Sequence, residues 1–232
     1  MTVAFVTGGA QGIGAAVARR FAADGLDVTV GDLEEKRVAA ESEDLRFAPL
    51  DVTDEGSVRR AIGDAGEVDV LVNCAGVTIA GHPVDEVSLA DWQLQIDVNL
   101  TGTFLTTRAV VPSMRRRRHG RIVNLASALA TRGLSGSSAY AASKAGVAGF
   151  TRAAAAELAP YDVTVNAVAP GYVDTPMTAS FPPGLREQRL AEIGVGRFAT
   201  PEEIASVVSF LASDEASYVT GALIEAGGGF RI

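Results

Sequence analysis

The sequence predicts an α/β fold in which one doubly wound, Rossmann-type parallel sheet of about seven strands is covered by helices on both faces. Three observations carry this expectation. Short runs of β-branched residues recur along the 232 residues, and alanine- and leucine-rich segments of helical length and period separate them. The runs are nearly continuous in apolar residues, as strands buried on both faces must be. No Pro/Ser/Gly-rich linker or shift in composition divides the chain, so residues 1–232 are expected to form a single domain.

The first strand is "TVAFVT", Thr2 to Thr7, and the helix after it is read over Ala15 to Ala23. "DVTVGD", Asp27 to Asp32, supplies the second strand, and Leu45 to Ala48 a weaker one. "VDVLVN", Val68 to Asn73, leads to a long helix over Asp97 to Arg117. "RIVNLA", Arg121 to Ala126, is followed by a helix over Ala142 to Leu158. "VTVNAV", Val163 to Val168, and Ala222 to Ala226 complete the sheet.

Composition excludes several classes. A net charge of -8 and a pI near 4.8 oppose nucleic-acid binding, which needs a basic face. The one basic cluster, "RRRRHGR" from Arg115 to Arg121, reads as a solvated helix end favoured by the macrodipole. A single cysteine, Cys74, leaves no intrachain disulfide and no cysteine-based metal site, and no metal is expected. No apolar run reaches membrane-spanning length. Met1 is followed at once by a strand rather than by a charged and then apolar leader, so a soluble, cytoplasmic protein is expected.

Chemistry enters at "TGGAQGIGAAVARRFA", where Gly8, Gly12 and Gly14 open the first helix. Glycine allows a tight turn and close backbone approach, and the helix N-terminus presents unpaired N–H groups to a pyrophosphate. Such a spacing alone also fits an ordinary turn before a helix. Asp32 ends the second strand twenty residues after Gly12, where a carboxylate can accept from the adenosine ribose hydroxyls; taken singly it also fits a turn or an N-cap. Together they point to a dinucleotide site. A 2'-phosphate would meet the Asp32 carboxylate, and Leu33, Glu34 and Glu35 supply no offsetting cation, so NAD(H) is expected over NADP(H). Gln11, before the second glycine, is not basic either.

The second cluster is "SAYAASKAG", Ser138 to Gly146. It holds Lys144, one of two lysines beside eighteen arginines, one helical turn after Tyr140 and on the same face. Tyrosine ionises near about pH 10 and is a poor base at neutral pH unless a cation lowers that value. An ammonium is a compact donor where the guanidinium is a planar fork, which would account for lysine at 144; taken alone, the pair also fits a Tyr and a Lys that share a solvated helix face.

With these residues the chain resembles the classical short-chain dehydrogenase/reductase family over nearly its whole length. The ordered set is "TGGAQGIG" (Thr7 to Gly14), Asp51–Val52, "NCAG" (Asn73 to Gly76), Asn99 in "DVNLTGTF", Ser127, "YAASK" (Tyr140 to Lys144) and "PGYVDTP" (Pro170 to Pro176). The resemblance implies that Ser127 binds the substrate oxygen and that Tyr140 exchanges a proton with it. Lys144 would bind the nicotinamide ribose and lower the tyrosine pKa, and Asn99 would fix a water that continues the proton path. It further implies Gly8, Gln11, Gly12, Ile13, Gly14, Asp32 and Leu33 toward the adenosine and pyrophosphate, and Asp51 and Val52 at the adenine. Asn73, Ala75 and Gly76 would lie beside the cofactor, with Pro170, Gly171, Val173 and Thr175 at the nicotinamide. The implied activity is hydride transfer between NAD(H) and a secondary alcohol or ketone.

"NLTGTF", "HGRIVN" and "SYVTG" place the resemblance nearest the 3-oxoacyl-[acyl-carrier-protein] reductase-like branch. There Arg118 matches one basic carrier-docking position, while Tyr161 stands where another often occurs; an NADPH-dependent reductase of that kind is the alternative reading. Cys74 replaces a common second asparagine, and "EAGGG" replaces "DGG"; neither change has a functional reading from sequence. The segment Thr175 to Phe198 is expected to cover the substrate, with Leu129, Leu134, Tyr172, Met177 and Phe181 lining a mainly apolar pocket. The small-residue face Ala145, Gly146, Ala148, Gly149, Ala153 and Ala156 suits a homotetramer. A dinucleotide-binding regulator without turnover is the reading from another class, and the intact Ser127, Tyr140, Lys144 and Asn99 set opposes it.

Overall fold

The β-branched runs form strands β1 (Val3–Thr7), β2 (Asp27–Asp32), β3 (Arg46–Pro49), β4 (Val70–Asn73), β5 (Gly120–Leu125), β6 (Val163–Pro170) and β7 (Leu223–Ala226). The computed structural model describes residues 1–36, 45–182 and 184–230. The seven strands make one parallel sheet in the order β3-β2-β1-β4-β5-β6-β7. Its order reverses between β1 and β4, which opens a crevice at their carboxyl ends, the usual ligand position of such sheets.

Side-chain alternation along the strands divides the core in two. Ala4 and Val6 of β1, Val28 and Val30 of β2, and Val70 and Val72 of β4 pack on α1 (Gly12–Ala23) and α8 (Pro201–Ala212). Phe5 and Leu71 on the opposite face meet α2 (Glu55–Ala65), α4 (Gly102–Arg117) and α5 (Ser138–Leu158). The shorter helices are α3 (Leu89–Ile96), α6 (Pro176–Ala179) and α7 (Leu185–Ala191). Local chemistry sets several starts. Asp54 caps α2 by accepting from the N–H groups of Gly56 and Ser57, and Thr200 caps α8 in a reciprocal box with Glu203.

Where the sequence reads one helix from Asp97, the chain makes a π-helical turn, Asp97–Thr101, before α4 begins. Asn99 stands at the centre of that turn. Helix α5 starts at Ser138, four residues before the expected Ala142, so Tyr140 belongs to its first turn.

The arginine run is not merely solvated. Arg117 pairs with Asp69 and donates to the Val68 carbonyl at 2.6 Å, Arg115 lies 4.4 Å over the Tyr161 ring, and Arg118 donates to the Pro160 carbonyl at 2.9 Å. The end of α4 is thereby tied to the entry of β4 and to the turn before β6. Of the small residues on α5, Ala148 is buried and Gly146 faces Leu100 within the chain, whereas Ala145, Ala153 and Ala156 are exposed.

Phe21 of α1 is 1% exposed within the first core layer, so Phe21→Ala should lose about 3–5 kcal/mol. Gly63 lies inside α2, and a methyl group there meets nothing within 4 Å. Gly63→Ala should therefore gain about 0.4–1 kcal/mol through the unfolded chain. Urea denaturation of both variants checks the pair of opposite signs.

Candidate active site

The turn between β1 and α1 is built by steric exclusion. Gly8 and Gly12 have φ of +63° and +55°, the left-handed region, and a Cβ on Gly14 would stand 2.2 Å from the Gly8 carbonyl oxygen. Gln11 caps α1 without a side-chain hydrogen bond, and the first turn carries no acidic residue. The N–H groups of that turn are thus open to an anion. Asp32 braces the loop from the next strand: its Oδ2 accepts from Ala10 N–H at 3.1 Å and its Oδ1 from Leu33 N–H at 2.9 Å. Leu33 is 44% exposed beside it.

Thr7 joins this turn to the next loop. Its Oγ1 accepts from the N–H groups of Cys74 and Ala75, both at 3.1 Å. Ala75 packs so closely on Gly8 that a Cβ there would come within 2.7 Å of its Cα.

The second cluster assembles at the ends of β4 and β5. Ser127 follows β5 after Ala126, and its Oγ accepts from Leu129 N–H at 3.2 Å; it also stands beside the Tyr140 phenol, whose ionisation it eases. Lys144 is 4% exposed; its Nζ donates to the Leu125 carbonyl at 2.7 Å and lies 5.8 Å from the centroid of the Tyr140 ring. Asn99 is fully buried, with Oδ1 accepting from Val77 N–H at 2.8 Å and Nδ2 donating to the Val77 carbonyl and to Ser143 Oγ, each at 3.0 Å. Ser143 in turn donates to the Tyr140 carbonyl at 2.8 Å. Gly76 fits between these groups: a Cβ there would stand 3.2 Å from Asn99 Oδ1 and 3.4 Å from Lys144 Nζ.

Burial governs the ionisation of the cluster. It pushes Lys144 down to about 8, pushes the Cys74 thiol up to about 12, and raises the Tyr140 phenol, with the Ser127 hydrogen bond opposing the last shift. The phenol thus lies above the ordinary tyrosine value and not below it, as the pairing with Lys144 led one to expect: desolvation of the phenolate outweighs the Ser127 contribution.

The second cluster opens on a cleft that the glycine turn reaches through Ile13. Ile13, Gly76, Ser127, Tyr140, Lys144, Pro170, Gly171, Val173, Thr175 and Met177 line it together with Cys74, Leu125, Ala126 and Thr178. A family model described as enoyl-(acyl carrier protein) reductase matches residues 8–231. The chain is 43% identical to the 3-oxoacyl-[acyl-carrier-protein] reductase FabG of Thermotoga maritima, over 99% of this chain and 98% of that one. It is 44% identical to cis-4-hydroxycyclohexanecarboxylate dehydrogenase of Sinomonas cyclohexanicum, over 98% and 96%. The chain belongs to the short-chain dehydrogenase/reductase family. Its fold superposes on a 3-oxoacyl-[acyl-carrier protein] reductase with bound NAD from Brucella melitensis with a TM-score of 0.92, at 35% identity, covering 99% of this chain and 90% of that one. Members of this family are oxidoreductases that bind a nicotinamide dinucleotide and act on CH–OH groups, and this chain lies in its 3-oxoacyl-carrier-protein reductase-like branch.

Within this family frame, several expected site residues sit away from the cleft wall. Asn73 is buried beneath it, donating to Asn124 and Thr107 and accepting from Thr106. Asp51 turns one oxygen onto Thr53 at the entry to α2, and Val52 packs on Gly102. Gln11 is exposed at the rim. Of the expected substrate pocket, only Met177 lines the cleft. Leu129, Tyr172 and Phe181 instead pack with Ala128, Ile193, Phe198 and Phe230, and Leu134 stands in the loop before α5 with its carbonyl accepting from Ser137 N–H. Pro183, inside the expected cover segment, lies outside the described residues. Thr7 and Ser143 stand inside the quoted motifs without a role assigned to them, and Thr178 lies just beyond "PGYVDTP"; a hydroxyl in or beside a motif is the only sequence signal for these supports of the cleft.

Cys74 lines the cleft, yet with its pKa pushed up to about 12 it stays a thiol at pH 8, where a free cysteine of pKa about 8.5 is partly thiolate. Native protein should react with a disulfide reagent at pH 8 at least about a hundredfold more slowly than urea-unfolded protein, as followed by thiol titration.

Proposed function

We propose that this protein is an NAD(H)-dependent dehydrogenase that interconverts a secondary alcohol and a ketone. The observation that carries the reading is the convergence of Ser127, Tyr140 and Lys144 on the cleft that also receives the glycine turn through Ile13. A nicotinamide dinucleotide fits these residues. The uncapped first turn of α1 would hold the pyrophosphate, Asp32 the adenosine ribose, Lys144 the nicotinamide ribose, and Val173 and Thr175 the carboxamide. When bound, the cofactor supplies or accepts the hydride.

The remaining steps belong to the side chains. Ser127 holds the reacting oxygen beside Tyr140, whose phenol delivers its proton to a ketone oxygen and whose phenolate takes one from an alcohol. Lys144 supplies the neighbouring cation below about pH 8. Asn99 keeps Val77 and Ser143 in register with this group and in this reading fixes a water that continues the proton path. Asp32, with Leu33 and Glu34 after it, supports NAD(H), since a 2'-phosphate would face a carboxylate. We place the protein in the cytoplasm as a homotetramer, with the exposed Ala145, Ala153 and Ala156 of α5 and the half-exposed Phe104 of α4 at the contact. Reduction of a 3-oxoacyl chain on a carrier protein is the second reading, favoured by the likeness to the Thermotoga maritima reductase.

A panel of secondary alcohols and ketones, with carrier-linked 3-oxoacyl chains included, should give turnover read at the NADH absorbance and kcat/KM higher with NAD(H) than with NADP(H). No turnover on the panel, or equal kcat/KM with the two cofactors, would count against the corresponding part of this reading. Tyr140→Phe should abolish turnover and leave NADH binding nearly intact. Lys144→Arg should lose about a hundredfold or more in kcat, because a misplacement of about 1 Å has that effect, and should weaken NADH binding; steady-state kinetics with cofactor titration separates the two variants.

A further inference from the structure

Tyr172 follows the Pro170–Gly171 pair at the end of β6, but its ring leaves the cleft wall and becomes the hub of an aromatic cluster. It stacks on Phe198 at 5.3 Å between centroids and meets Phe181 at 6.1 Å and Phe230 at 5.3 Å edge to face. Ala128 and Leu129, next to Ser127, and Leu190 of α7 pack into the same cluster. The phenol donates to Glu192 Oε2 at 3.3 Å, and Arg189 Nη1 holds Glu192 Oε1 at 2.5 Å. Glu192 therefore receives Tyr172 on one oxygen and the last turn of α7 on the other.

The two sides of Glu192 are anchored differently. Beyond it, Gly194 and Val195 donate backbone hydrogen bonds to the carbonyls of Gly229 and Gly228, and Ala199 exchanges backbone bonds with Tyr172 and Asp174. This part is stitched to the C-terminal segment and to the end of β6. Helix α7 on the other side is joined to the cleft side of the molecule through side chains: Arg186 to Asp174 and over the Phe198 ring, Leu190 in the cluster, and the Tyr172–Glu192–Arg189 set.

Building on the dehydrogenase reading, we infer that Tyr172 is a positioning residue: its hydroxyl, through Glu192, seats α7 against the Ser127 loop and so sets the affinity for substrate without taking part in proton transfer. Hydride and proton movement stay with the cofactor, Tyr140 and Ser127. Losing the hydroxyl loosens α7 against the Ala128–Leu129 side of that loop and leaves the chemistry as it was.

Tyr172→Phe keeps the ring and its stacking and removes only the hydrogen bond. It should raise KM for the alcohol or ketone about fivefold, with kcat within about twofold and the NADH dissociation constant unchanged. Tryptic cleavage after Arg186 or Arg189 should quicken by a similar factor in the native protein, a readout that needs no activity. Glu192→Gln retains an oxygen acceptor and should stay close to the wild type in KM, whereas Glu192→Ala should match Tyr172→Phe, and the double variant Tyr172→Phe/Glu192→Ala should be no worse than either. An unchanged KM and cleavage rate in Tyr172→Phe, a fall in kcat with no change in KM, or additive effects in the double variant would overturn the inference. If no substrate turns over in the wild type, the dehydrogenase reading fails, and the cleavage rates alone still decide whether Tyr172 seats α7.

Discussion

The site depends first on the parallel register of the sheet. Thr7 pairs with Gly31 and with Asn73, Asn73 with Asn124, and Leu125 with Val168. The ends of β1, β2, β4, β5 and β6 therefore arrive at one level, and each releases its chain into the crevice there. The glycine turn leaves β1, Asp32 ends β2, Cys74 to Gly76 leave β4, Ser127 leaves β5, and Pro170 closes β6. A slip of one residue would turn every inward side chain to the opposite face, and no local change could restore the cluster. Polar links hold that level: Thr7 ties β1 to the loop after β4, and Asn73 and Asn124 tie β4, β5 and α4 to Thr151 of α5.

Burial then decides the chemistry. Lys144 lies in a nearly closed site with a carbonyl partner rather than a carboxylate, so its charge is only partly offset. The same desolvation raises Tyr140 and holds Cys74 as a thiol. In this setting the phenol stays protonated through neutral pH and is ready to donate. Removing a proton from an alcohol requires the less favoured form of the same group, so the two directions of the proposed reaction respond oppositely to pH.

Much of this is legible in the sequence because the motifs sit at strand ends, where type and spacing fix position. Seven strands, the glycine turn and the one-turn spacing of Tyr140 and Lys144 follow from residue pattern alone. The π-helical turn at Asp97–Thr101 does not, because five residues carry too little periodicity to separate it from the α-helix that follows. Asp51, Val52 and Tyr172 belong to the motifs, but neighbours in a chain can point to different sides. Asp51 closes a turn on Thr53, Val52 fills the space beside Gly102, and Tyr172 joins rings supplied by Phe181, Phe198 and Phe230. The direction of the tyrosine shift is hidden for a different reason: pairing with a cation is visible in sequence spacing, whereas the depth of burial is set by the whole fold.

The account rests on a tyrosine kept protonated by burial beside a lysine that discharges near pH 8. The most direct test is the pH dependence, from about pH 6 to 10, of kcat for ketone reduction and for alcohol oxidation on one substrate pair. Reduction should hold through neutral pH and decline only as Lys144 loses its proton above about 8, while oxidation climbs with pH as the phenol becomes able to accept. Oxidation fastest at or below neutral pH, with reduction already falling there, would show that the phenol ionises early and would contradict the account.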